Sequence, residues 1–241
     1  MKRTPFAPAG TVELLETGQL HVLGLIPQAS NSTFLAEVSL GDRRELAVYK
    51  PRRGETPLWD FPEGTLCNRE VAAYEVAREL GWPAVPPTVL RDGPHGEGSV
   101  QLFVDSHPEQ HYFTLRDSRL DEFLPGAAFD VVVGNGDRKA GHCLSDGDGV
   151  IWFVDHGLCF HPTPWLRTVI WDFAGQPVPE SLLADLRRVE GELRGGALRG
   201  RLLELLAPEE VDAAADRTAD LVAAGTYPLP GPGRSHPWPA V

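Results

Sequence analysis

Gly134-Asn135-Gly136-Asp137-Arg138-Lys139-Ala140-Gly141-His142-Cys143-Leu144, followed closely by Val154-Asp155-His156-Gly157, is the part of the chain that decides how the rest is read. Asp137 and Asp155 each sit in a short motif next to glycine. Each also lies beside an apolar run, residues 129–133 and residues 150–154, that reads as strand. The polar run 145–149 between them reads as a hairpin turn. The pattern predicts two carboxylates converging at the ends of neighbouring strands, as a divalent cation and a transferring phosphate require.

The remainder of the 241 residues sets bounds. That length can bury a sizeable core, as one domain or as two small lobes. A 42% apolar and 23% charged composition is that of an ordinary globular protein. There is no apolar run of membrane-spanning length and no signal-peptide pattern at the start, so no integral membrane association and a cytoplasmic setting are expected. Three cysteines without a Cys-x-x-Cys spacing argue against a disulfide framework or a structural zinc site. A formal net charge of −12 argues against nucleic acid as partner and against charge-held binding to anionic lipid. The lysines are Lys2, Lys50 and Lys139, and the last two fall inside candidate motifs.

Along the chain, residues 11–26 and 33–40 alternate as strands around a small-polar turn at Ser30, Asn31 and Ser32. Residues 45–50 form another strand, stopped by Pro51, and 54–64 a loop. Leu66–Leu80 reads as a helix closed by Gly81 and Pro83. Short strands are expected at 88–91 and 99–105, and a helix at 118–124. Helical periodicity then dominates: Leu182, Leu186, Val189 and Leu193 share one face, and Pro208–Ala224 is a further helix. Residues 227–241, rich in proline and glycine, are expected to be a loosely attached tail. A strand-rich part, 1–105, thus precedes a mostly helical one, 106–226, as in a two-lobed α+β enzyme with a cleft between its lobes.

On the Leu66–Leu80 helix, Glu70 shares a face with Leu66, Ala73, Tyr74 and Ala77. A carboxylate there needs a cation, and Lys50, at the end of the preceding strand, is the natural partner. The alternative is a Glu70 at the edge of the stripe, reaching water. Arg69 is free to pair with any surface acid.

Lys50 after Ala47-Val48-Tyr49, then Glu70, Asp137 and Asp155 in that order, resembles the phosphatidylinositol 3- and 4-kinase-like atypical kinases, with motifs related to those of HipA-type kinases. Their Asp-Arg-His/Lys-x-x-Asn loop and later Asp-x-Gly read here as residues 137–142 and 155–157. Tyr49-Lys50-Pro51, Leu58-Trp59-Asp60-Phe61 and Arg69-Glu70 are similar to a kinase-like actinobacterial branch. The resemblance runs over about residues 20–161. It implies a two-lobed protein-kinase-like fold, strand-rich N-lobe first, that uses ATP with Mg2+ or Mn2+. Lys50 would grip the nucleotide phosphates and Glu70 orient it; Asp137 would position the acceptor hydroxyl and Asp155 hold the metal. Ser30, Asn31 and Ser32 would stand in for a glycine-rich loop. The run Gln101-Leu102-Phe103-Val104 would link the lobes and meet the adenine; the bland reading of that run is a core strand.

The sequence departs from that pattern at His142, which stands where asparagine should be the second metal ligand. Imidazole suits manganese or zinc better than magnesium. His142 then binds a softer ion, or binds phosphate, or leaves a pseudokinase that holds nucleotide in a regulatory role. Asn135 is a spare oxygen ligand or a turn cap. A metallohydrolase site of His142, Asp155, His156 and His161 is a further alternative, without a matching signature. Asp146 and Asp148 lack the length and terminal glutamate of a calcium loop and read as a hairpin turn. His95, His107, His111 and His236 read as surface residues. The acceptor is a protein or small-molecule hydroxyl.

Overall fold

A computed structural model describes residues 8–27, 31–163 and 165–241. The first lobe is built on a five-stranded antiparallel sheet. Helix α1 (Thr11–Thr17) leads into β1 (Gln19–Leu25), β2 (Phe34–Leu40) and β3 (Arg43–Pro51). Helix α2 (Leu66–Leu80) follows, then β4 (Thr88–Gly93) and β5 (Gly96–Leu102), with spatial order β1-β2-β3-β5-β4. Period-two alternation divides β3: Ala47 and Tyr49 enter a small core with Leu14, Leu15, Val38 and Val100, while Val48 and Lys50 line a cleft on the other side. Ser30 lies outside the described residues.

The second lobe is helical. Helices α3 (Tyr112–Arg119) and α4 (Leu124–Val133) are joined by a 3-10 turn, and a hairpin of β6 (Cys143–Ser145) and β7 (Ile151–Phe153) follows. Helices α5 (Glu180–Gly195), α6 (Ala197–Leu203) and α7 (Pro208–Ala224) complete it. The larger core runs through this lobe and takes in the buried side chains of α2, among them Tyr74, Val76 and Leu80. Leu182, Leu186, Val189 and Leu193 of α5 are all buried in it.

Three expectations about secondary structure need correction. Residues 129–133 are not a strand but the last turns of α4, a helix buried on nearly every side; an apolar run that short carries no period to distinguish the two. Gly134, at φ 61°, closes α4 in the left-handed conformation that glycine adopts most readily. Residues 11–17 form α1, whose buried Thr11, Leu14 and Leu15 follow helical spacing, so the strand starts only after Gly18. The segment 118–124 is no single helix, since α3 ends at Arg119 and a 3-10 turn intervenes.

The tail is not loose. Tyr227 is buried and donates to the Leu124 carbonyl at 3.0 Å. The Ser235 carbonyl accepts from the Thr168 amide at 3.1 Å, and the Ala240 carbonyl from the Ala140 amide at 2.8 Å.

Arg69 pairs with no surface acid. It is fully buried, stacks over Phe61 at 4.7 Å, donates to the Cys159 carbonyl at 2.8 Å and closes an ion pair with Glu210 of α7. Further bonds tie α2 to the helical lobe. Asn68 donates to the Leu205 carbonyl at 3.0 Å and Arg201 to Glu75 and Glu79 at 2.6 and 3.0 Å, while just beyond the helix Trp82 donates to Asp185 at 3.0 Å. Removing one partner of a buried pair leaves the other charge uncompensated. Arg69→Ala is therefore expected to cost about 3–5 kcal/mol in urea unfolding, and Arg69→Leu combined with Glu210→Leu to recover much of that loss. Equal losses in the single and double variants would show that the pair is not what holds α2.

Candidate active site

A cleft of about 740 Å³ separates the lobes, within the range of small-molecule sites. Val48 and Lys50 of β3, Leu66, Cys67 and Glu70 of α2, Gln101 and Leu102 of β5, and Phe103 and Val104 after it line one side. Asp137, Lys139, His142, Val154 and Asp155 line the other.

Lys50 joins the two. Its ammonium is paired with Glu70 Oε1 and bonds Asp155 Oδ1 at 3.1 Å. The other Glu70 oxygen accepts from the His156 amide at 2.9 Å, so one carboxylate holds both the strand lysine and the loop that carries Asp155. Burial raises the pKa of Glu70, and Lys50 offsets this only in part. Burial likewise works against the Lys50 ammonium, but Asp155 and Glu70 outweigh it and hold its pKa above the ordinary lysine value. Asp155 shows the opposite balance. Burial would raise its pKa, yet Lys50 and then His142 keep it well below the carboxylate range. Asp155 also sits at φ 60°, a strained conformation for a residue with a Cβ.

His142 Nε2 lies 3.1 Å from Asp155 Oδ2, and its Nδ1 accepts from the Lys139 amide at 3.4 Å. Burial pushes its pKa down to about 4, so the ring is neutral near pH 7 and its Nε2–H donates to Asp155. Asp137 bonds Lys139 Nζ at 3.3 Å, while burial raises its pKa and Lys139 draws it back. Both acids face the cleft, but not from neighbouring strands: Asp155 follows β7, whereas Asp137 lies beyond α4. Asn135 is no cleft ligand. It is buried, accepts from the Asp137 amide at 2.9 Å and donates to Asp130 at 3.0 Å, which is the turn-capping role.

Arg138 and Asp130 are the site residues that sequence reasoning left without a role. Both are fully buried and form an ion pair at 3.0 Å. Arg138 donates as well to the carbonyls of Val154 at 2.6 Å and His142 at 3.3 Å, and lies 2.7 Å from His156 Nε2. One guanidinium thereby clamps both acidic loops, its donors shared among carboxylate, carbonyls and imidazole. Asp130 inside an apolar helix was the available signal, since such a carboxylate requires a cation.

Several other candidates resolve differently. Among the described residues no three His, Cys, Asp or Glu side chains are grouped as a metal site. His156 is engaged by Arg138, and His161 packs edge-on against Phe61 and Trp165. Asp146 accepts from the amides of Asp148 and Val150 and from the Trp152 indole, so it builds the hairpin turn. Asn31 and Ser32 line the cleft, but the Ser32 amide is taken by the Gly54 carbonyl at 3.0 Å and the Asn31 side chain by the Thr56 amide at 2.8 Å. The Phe103 amide is likewise taken, by the Leu46 carbonyl at 2.9 Å, and the Gln101 side chain by Thr88 at 2.8 Å.

No protein-family model matches the chain. It is 40% identical over 265 aligned positions to Protein Rv2133c of Mycobacterium tuberculosis (strain ATCC 25618 / H37Rv), across 94% of each protein. The chain belongs to the Rv2133c family. This member is also 28% identical to phosphatidylinositol 4-kinase gamma 4 of Oryza sativa subsp. japonica, over 62% of its own length and 32% of the rice protein. Among solved structures it is similar to the Helicobacter pylori proinflammatory kinase CtkA, with a TM-score of 0.52 at 13% identity, covering 88% of this chain and 94% of that one. The two-lobed α+β fold of this Rv2133c-family chain is therefore kinase-like.

Acid stability provides a test of the His142 environment. The unfolded ring takes up a proton near pH 6.5 and the folded ring only near 4, so the unfolded state binds more protons in between. Stability is then present above 6.5 and is lost as the pH falls towards 4; Asp155 and His156, whose pKa values are also depressed, act in the same direction. His142→Asn should lessen the fall of the urea midpoint between pH 6.5 and 4, with His156 contributing the remainder, and an unchanged slope in the variant would contradict this account.

Proposed function

We propose that this chain is an ATP-dependent phosphotransferase of the phosphatidylinositol 3-/4-kinase-like superfamily that acts on a hydroxyl with a divalent metal. The observation that carries the reading is Lys50, held between Glu70 and Asp155 on the wall of a cleft that Asp137 also lines. The lobes divide at 1–105 and 106–226 in this reading, with 227–241 as the tail. A cytoplasmic setting accords with three cysteines that are free and buried.

The donor set fits a metal carried in by the nucleotide. Asp155 would supply an oxygen, and His142 a nitrogen only in the tautomer whose Nε2 no longer donates to Asp155, too few for a cage, so phosphate oxygens would complete the shell. When bound, ATP supplies the γ-phosphoryl group and its metal neutralises the charge that develops there. Lys50 adds a fixed positive charge at the phosphates, and Glu70 keeps that charge aimed. Asp137 takes the proton of the acceptor hydroxyl as its oxygen bonds to phosphorus, while the bond to the β–γ bridging oxygen breaks and its electron pair leaves with ADP. Lys139 balances Asp137. With the Phe103 amide engaged, Val104 is the next backbone donor in line for the adenine.

His142 supports a second reading, that of a nucleotide-binding pseudokinase. It occupies the place of a metal-binding asparagine and directs its Nε2–H at Asp155. The two readings separate in one set of assays. ATP with Mg2+ or Mn2+, at a hundred times its dissociation constant, should stabilise the protein by about 2.7 kcal/mol, seen as a rise of a few degrees in Tm. Asp155→Ala should lose the metal-dependent part. Asp137→Asn should keep the shift and lose ATP turnover, and His142→Asn should move metal preference towards magnesium. The absence of a shift with any purine nucleotide would sink both readings. Binding without turnover in wild type, restored by His142→Asn, would select the pseudokinase.

A further inference from the structure

Arg167 has no role in the fold or in nucleotide handling as described above. Its backbone is part of the site: the Arg167 amide donates to the Asn135 carbonyl at 2.9 Å and its carbonyl accepts from the Arg138 amide at 3.0 Å, on either side of Asp137. Its side chain lies on Trp165, with the guanidinium carbon 4.2 Å from the ring centroid, which preorganises the planar group. Among the described residues it forms no ion pair and its buried Nε has no partner, although Asp137 and Asp60 are close enough to act on its charge. Burial, and then the nearby Arg234, hold its pKa below the ordinary arginine value. Arg234 is exposed, and its Nε donates to the His236 carbonyl at 3.2 Å. The Thr168 amide donates to the Ser235 carbonyl at 3.1 Å, so the residues that follow Arg167 and Arg234 are hydrogen-bonded neighbours, next to the segment that carries the proposed proton acceptor. Like charges in that position are destabilising until an anion joins them.

We infer that Arg167 and Arg234 form an acceptor subsite for an anionic group, so that the hydroxyl phosphorylated at Asp137 belongs to a molecule carrying a phosphate, sulfate or carboxylate. This deepens the phosphotransferase reading and rests on it for the word acceptor. The anion-binding property itself does not. The same chemistry could come from a small anionic alcohol or from an acidic residue beside a serine or threonine.

The test uses the full chain and radiolabelled sulfate in equilibrium dialysis, which needs no turnover. Wild type should bind sulfate. Arg167→Ala and Arg234→Ala should each weaken binding about tenfold, while Arg187→Ala, which removes an exposed arginine of α5 outside the cleft, should leave it unchanged. Near-UV circular dichroism confirms that the variants are folded, and Arg167→Lys, which keeps the charge but loses the stacked fork, should bind with intermediate strength. No sulfate binding by wild type, binding that survives Arg167→Ala, or binding lost in Arg187→Ala would overturn the subsite. Arg167-dependent sulfate binding without any ATP-induced shift would leave the subsite standing and remove the phosphotransferase reading; the reverse result would do the opposite. With ATP present, glycerol 3-phosphate is compared with glycerol, and a glutamate-flanked serine peptide with a lysine-flanked one. Preference for either anionic member identifies the source, and equal turnover within both pairs would overturn the inference.

Discussion

The cleft depends on one buried charge pair, Arg138 with Asp130. A carboxylate in the middle of an apolar helix and a guanidinium with no exposure are each strongly unfavourable alone. Together they are tolerated because nearly every donor has a place: Asp130 takes several, and the carbonyls of His142 and Val154 take others. The carbonyl of His142 belongs to the loop carrying Asp137 and that of Val154 to the residue before Asp155. The spacing between the two acids is thus fixed by the reach of one planar side chain. Lysine at this position, a single rotatable point charge, could not serve both loops.

A second constraint concerns α2. Helix α2, which carries Glu70, lies between β3 and β4 in sequence, within the strand-rich part of the chain. Yet α2 is fastened to the helical lobe by Arg69–Glu210, by Asn68 on the Leu205 carbonyl, and by Arg201 with Glu75 and Glu79. Its buried side chains sit in the larger core. Glu70 therefore reaches Lys50 from a helix that is tied to the same lobe as Asp155.

Much of this was legible in the sequence, and the reasons differ by element. Leu66–Leu80 was readable to the residue because Gly81 and Pro83 end a long periodic pattern, and the place of Glu70 on its apolar face pointed to Lys50. The order Lys50, Glu70, Asp137, Asp155 conveyed the two-lobed α+β architecture. Residues 129–133 were misread because a fully buried helix and a buried strand show the same unbroken apolar run. The pairing of Arg69 with Glu210 was invisible because the two are far apart in sequence and local pattern holds no trace of the contact. The attachments of the tail were hidden for another reason: backbone carbonyls make them, at Ser235 and Ala240, and composition says nothing about main-chain bonds.

That last attachment bears on how the protein is made. The Ala140 amide, inside the loop that carries Asp137, is capped by a carbonyl one hundred positions further along the chain. The sheet can form early in synthesis, since chains fold from the N-terminus as they emerge. The loop between Asp137 and His142 cannot acquire its last hydrogen bond until residue 240 has left the ribosome. A nascent chain can thus carry the strand of Lys50 in place while the opposite wall of the cleft, and the helix of Glu70, still wait for the C-terminal residues, so synthesis itself sets the moment at which the site is complete.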